Sequence, residues 1–206
     1  MPETRKVVVN HRIVAPAVFL SCLLTIMQHS QVLADPRSDG DRGIEAFRQG
    51  NLIESMLWLE RSAKGGYVPA QVTYAYILDI SERDEDAVKW YRQAAESNDP
   101  AGKFGLGGMY AKGEGVERDP QQAGLWTRQA AEMEHVPAMR AYAYALENGS
   151  LGFAQNFTLS VEWFLKAAVA GDDVSMRRLK NAYAAGQLGL PIDPVQASFW
   201  DEKINP

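Results

Sequence analysis

The stretch PAGKFGLGGMYAKGEGVERDPQQAGLWTRQAA, residues 100–131, carries two helical patterns separated by a glycine-rich turn. Gly102, Leu106 and Tyr110 fall at i, i+4 and i+8, and Ala123, Trp126 and Ala130-Ala131 continue at i, i+3 and i+7/i+8. Both series lie on one face of an α-helix. Between them, Gly113 and Gly115 can supply positive φ. Asp119 is placed to cap the next helix ahead of Pro120, where a missing backbone N–H costs little. The stretch therefore reads as helix A, loop, helix B.

The same unit recurs along the chain. Trp58, Trp90, Trp126, Trp163 and Trp200 are separated by 32, 36, 37 and 37 residues. Three positions before each stands a small residue: Ser55, Ala87, Ala123, Ser160 and Ala197. Ser62-Ala63, Ala94-Ala95, Ala130-Ala131 and Ala167-Ala168 follow the first four. A preceding helix keeps the same register through Ala70, Gly102, Ala138 and Ser175. Self-similarity at this period is the mark of a solenoid. The expected fold is all-α, an α/α solenoid of four to five helix–turn–helix repeats, near 41–66, 67–98, 99–135, 136–171 and 172–206. The stretch from Asp41 to Gln49 reads as a truncated first helix, and 35–40 as a short linker. Repeat two has Ile80 to Asp84 in place of the glycine loop, which accounts for its shorter period.

Leu106-Gly107-Gly108-Met109-Tyr110, Gly113-Glu114-Gly115-Val116, Asp119, Ala123, Trp126 and Ala130-Ala131 together resemble the Sel1-like repeat, a relative of the tetratricopeptide repeat. Copy four departs with Tyr142-Ala143 and Gly149-Ser150-Leu151-Gly152, and copy five with Lys180 where glycine is usual. The resemblance implies a scaffold that holds partners, with no catalytic centre and no cofactor. Some secreted members staple each helix pair with a disulfide. This chain has a single cysteine, Cys22, so its stability is expected to rest on packing around the tryptophans.

The N-terminus has the order of a secretory signal: Arg5, Lys6 and Arg12, then an uncharged run from Ile13 to Met27, then Val32-Leu33-Ala34. Cleavage is expected after Ala34, giving a secreted, periplasmic protein with no stable membrane insertion. The alternative is an anchor through the uncleaved segment. Cleavage lowers the net charge from −5 to about −7 and leaves His135 as the one histidine. An acidic chain offers no electrostatic reason to bind nucleic acid.

Catalytic constellations are missing from the pattern. His135 falls in an inter-repeat turn without a nucleophile beside it, and soft metal ligands are absent. Asp84-Glu85-Asp86 and Asp172-Asp173 read as acidic residues at helix N-termini, where they complement the dipole. Stacked helix pairs form a concave wall from the A helices. Residues there off the packing stripe are the candidate partner-binding set: Gln71, Thr73, Lys103, Arg140, Arg177 and Arg178. Lys103, Arg140 and Arg177 recur near equivalent positions, so a basic row would suit an acidic peptide segment or an anionic polysaccharide. The expected function is an adaptor or regulator in a cell-envelope complex. The alternative is a secreted hydrolase or a cell-wall- or polysaccharide-binding protein.

Overall fold

The computed structural model describes residues 35–205, and the expected signal segment lies outside them. Among the described residues ten helices follow one another in five A–B pairs. They are α1 (Pro36–Arg48) and α2 (Leu52–Lys64), α3 (Val68–Ile80) and α4 (Asp84–Glu96), α5 (Pro100–Lys112) and α6 (Pro120–Glu132), α7 (Val136–Asn148) and α8 (Phe157–Val169), and α9 (Asp173–Ala185) and α10 (Pro194–Ile204). Each is 13 residues long except α10, with 11. Uniform length follows from uniform punctuation. Asp99, Asp119, Asn156, Asp172 and Asp193 each accept a hydrogen bond from a backbone N–H in the first turn of the next helix. Gly113, Gly149 and Gly186 end α5, α7 and α9 in the left-handed conformation.

The first helix is complete rather than truncated, and the expected linker at 35–40 is its N-terminal half. Asp35 caps α1 through the N–H of Arg37, and Pro36 is the first helical residue, the same Asp-Pro start that opens α6 and α10. Gly40 and Gly43 weaken the helical signal there. They are required by close packing: a Cβ at Gly43 would lie 2.7 Å from Leu59, and one at Gly40 would meet the Tyr67 ring.

The small residues act as read from the sequence. Ser55, Ala87, Ala123 and Ser160 are buried where the B helix crosses its A helix. Ser55 and Ser160 donate through Oγ to the carbonyls of Gly43 and Ala143, both at 2.9 Å. The tryptophans are less central than their regularity suggests. Trp58, Trp90 and Trp126 are half-buried, whereas Leu59, Tyr91 and Thr127, each one position later, are buried; in the later pairs Trp163 and Trp200 are buried themselves, and Phe164 with them. In the first three pairs the residue after the indole is thus the more deeply buried of the two.

Both ends of the array are closed by charge. Trp58 lies between the guanidinium groups of Arg42 and Arg61, and Arg61 is held by Asp39 at 2.6 Å. At the other end Lys180 occupies the crossing position of Gly43, Ala75, Gly107 and Ala143 and reaches Asp201 at 2.6 Å.

Candidate functional site

The A helices of the first three pairs form a groove of about 580 Å³. Ile44 and Phe47 of α1, Val72 and Tyr76 of α3, and Phe104, Gly105 and Gly108 of α5 line it. Phe47 and Tyr76 meet edge to face, centroids 6.0 Å apart, and Phe104 lies 5.3 Å from the His135 ring. The Tyr76 side chain is 47% exposed, so the wall is apolar yet open. Two glycines on α5 do different work. A Cβ at Gly105 would meet the Tyr91 ring at 2.3 Å, so this glycine lets α4 and α5 approach. A Cβ at Gly108 would meet nothing within 4 Å. Packing does not require that glycine, and its bare backbone leaves open space in the groove.

Polar groups stand at the rim. Asp79 and Lys112 lie in the last turns of α3 and α5, with Arg48 at the end of α1. Lys112 is 2.7 Å from Glu114, an ion pair that raises its pKa, and 3.9 Å from Asp79. Burial is the main cause that lifts the Asp79 carboxyl above its ordinary value. His135 caps the turn before α7, and burial holds its imidazole below the usual value, with Asp99 opposing. Its Nδ1 is buried without a hydrogen-bond partner.

The six candidate residues do not form one surface. Gln71 is buried and donates to the Ala63 carbonyl at 3.3 Å. Thr73 borders the groove, its hydroxyl donating to the Pro69 carbonyl. Lys103 is only 8% exposed; its ammonium donates to Asn98 Oδ1 at 2.6 Å and lies 3.5 Å from Met133 Sδ. Arg140 reaches across to Asp172 at 2.5 Å, and Arg178 makes a bidentate contact with Glu147. Arg177 is exposed beside Asp173, at 3.6 Å. The expected basic row is thus broken at Lys103 and neutralised at Arg140. Its cause is register: counted from Gly102 and Ala138, Lys103 matches Met139, and Arg140 matches Phe104. The sequence did hold a signal for the groove, since Val72/Tyr76 and Phe104/Gly108 form a second i, i+4 series beside the packing stripe on two successive A helices.

Among the described residues there is no group of three or more metal-ligating side chains, and no helix is long and apolar enough to cross a membrane. Paired helices in series with an open apolar wall define an α/α-repeat scaffold. The chain belongs to the Sel1 repeat family, whose profile matches residues 39–67, 81–99, 100–135 and 136–172. The match stops where the fifth pair begins, at the copy that carries Lys180 and Asp201. Sel1 repeats generally mediate protein–protein interaction.

Among solved structures, a Sel1 repeat protein from Oxalobacter formigenes superposes with a TM-score of 0.77 at 24% identity, over 84% of this chain and 72% of that one. The c5321 protective antigen of uropathogenic Escherichia coli, described as having an SLR fold, superposes at 0.73 with 28% identity, over 88% and 40%. In sequence, an uncharacterized protein of Neisseria meningitidis serogroup B is 29% identical over 136 residues, 65% of this chain and 29% of that protein. A chitin synthase regulator of Saccharomyces cerevisiae is 34% identical over 106 residues, 49% of this chain and 15% of the regulator. The chain spans less than a third of either of these relatives.

Proposed function

We propose that this protein is an adaptor of the cell envelope that holds a segment of another protein in the groove of its first three A helices. The observation that carries the reading is Gly108, a helical glycine that no neighbour requires, facing an aromatic wall that no part of the described chain covers. A protein that used these helices for packing alone would gain about 1 kcal/mol from alanine at this site. The family's general role in protein interaction supports the reading, as does the likeness to a chitin synthase regulator. The periplasmic location rests on the basic, apolar and small residues of the first 34 positions. The alternative of a secreted hydrolase or polysaccharide-binding protein has no comparable feature in its favour.

Pull-down from envelope extract with the wild-type chain and with Gly108→Trp tests the proposal. A stoichiometric protein retained by the first and lost with the second is the expected result. A partner retained by both would place docking elsewhere. The mass of the mature chain tests the location: export and cleavage after Ala34 give a protein beginning at Asp35.

A further inference from the structure

Charge does not balance at the end of the groove where α3 and α5 finish. Asp79 and Glu114 share the single ammonium of Lys112, at 3.9 and 2.7 Å, so one negative charge is left over. Asp79 is the worse served of the two carboxylates and the one that lines the groove, and its side chain is only 20% exposed. Arg48, the other cation on the groove, stands at its α1 side, exposed and 3.6 Å from Glu45. The backbone adds to the imbalance. Asp79 lies in the last turn of α3, where the helix C-terminus carries partial negative charge, whereas at the end of α5 Arg118 donates to the Ala111 carbonyl. Nuclear to the rest of the site is Tyr76, which precedes Asp79 by three residues and so shares its helix face. Its exposed ring can receive a cation over its face or an apolar group against it.

We infer that the groove takes a partner-protein segment that presents a large apolar side chain to the space over Gly108 and a lysine or arginine to Asp79. The inference rests on the reading of the groove as a protein-docking surface and supplies the partner's chemistry. It moves the charged contact away from the expected basic row: Lys103 is buried and Arg140 is paired with Asp172, while Asp79 is the carboxylate that lines the groove, beside the rim cations Arg48 and Lys112. An incoming cation completes a neutral set with Asp79, Lys112 and Glu114. It is also partly shielded from water, where an ion pair is worth more than on an open surface.

A random twelve-residue peptide library selected on the full chain tests this, followed by titration of the selected peptides against variants. Enriched peptides are expected to carry a large apolar residue with lysine or arginine close by. Gly108→Trp is expected to abolish their binding, and Gly108→Ala, whose Cβ meets nothing, controls for folding. Asp79→Asn is expected to weaken basic peptides about tenfold and to leave versions with the basic residue changed to glutamine unaffected. Peptides blocked by Gly108→Trp but indifferent to Asp79→Asn would overturn the charge assignment and leave the groove in place. A selection that yields no binder, or binders that ignore Gly108→Trp, would overturn both.

Discussion

Lys103 shows how a single register step changes the meaning of a residue. It sits at the buried A-helix position that Asp39, Gln71 and Met139 occupy in other pairs. Asp39 has Arg61 as a counter-charge; Lys103 has only the neutral oxygen of Asn98 and the Met133 thioether. Burying a charge on neutral partners is costly, and replacing buried charged groups with apolar side chains of similar size is often neutral or stabilising by about 1–4 kcal/mol. Lys103→Met copies Met139 and is expected to leave the thermal midpoint unchanged or raise it; a clear fall would show that the ammonium holds the two inter-repeat turns together. His135 has the opposite problem, a buried ring nitrogen without a partner. Its folded pKa is depressed by burial, so the neutral form is the one that suits the fold. Stability is then fully present above the ordinary imidazole value and is lost as pH falls below it, because the unfolded chain takes up the proton first. One such group changes stability by at most about 1.4 kcal/mol per pH unit. His135→Gln is expected to flatten the stability of the chain on the acid side of neutrality, measured by urea unfolding at several pH values. An unchanged profile would mean that other groups set it.

Within one A–B unit, two glycines separate what the fold needs from what it leaves open. Gly115 in the α5–α6 loop has φ +64°, and a Cβ there would lie 2.3 Å from the backbone of Asp84 at the start of α4. Its conformation alone would cost an alanine about 1–3 kcal/mol, and the clash is with backbone that cannot swing away. Gly108, in a regular helix with free space, gains about 1 kcal/mol on the same change. Opposite signs for Gly115→Ala and Gly108→Ala in denaturant unfolding are expected; two destabilised variants would show that Gly108 is held by packing after all. The helix pairs were legible because their punctuation is local: Asp-Pro starts, glycine stops and crossing positions limited to small residues. The groove was not, because an apolar residue on an A helix gives no local sign of whether it faces a neighbouring helix or open space. Only the stacking of three pairs brings Phe47, Tyr76 and Phe104 to one wall. The first helix looks short in the sequence for a related reason, since Gly40 and Gly43 lower propensity while serving contacts with Tyr67 and Leu59, more than a dozen residues away.

Across the whole array the buried residues divide into two clusters, one running from Leu59 to Met109 and the other from Ala130 to Trp200. The division falls inside the third pair, between the buried residues of α5 and those of α6, and one side chain of each helix crosses it. Phe104 of α5 packs against the later cluster, while Trp126 of α6 packs against the earlier one. These two half-buried rings are therefore couplers between halves, which is a different role from the core anchor that the tryptophan spacing alone suggests. Phe164, fully buried, is an anchor of the later half. Truncating it to alanine is expected to cost about 3–5 kcal/mol and to lower the melting of that half. Trp126→Ala cuts a link across the division. In an array whose units contact only their neighbours, weakening one interface separates the transitions on either side of it. Calorimetry of Trp126→Ala is expected to show two transitions where the wild type shows one. Hydrogen exchange would assign the earlier transition to one half, α1–α5 or α6–α10. A single transition merely shifted downward would mean that the remaining contacts of the third pair suffice to keep the five pairs one cooperative unit.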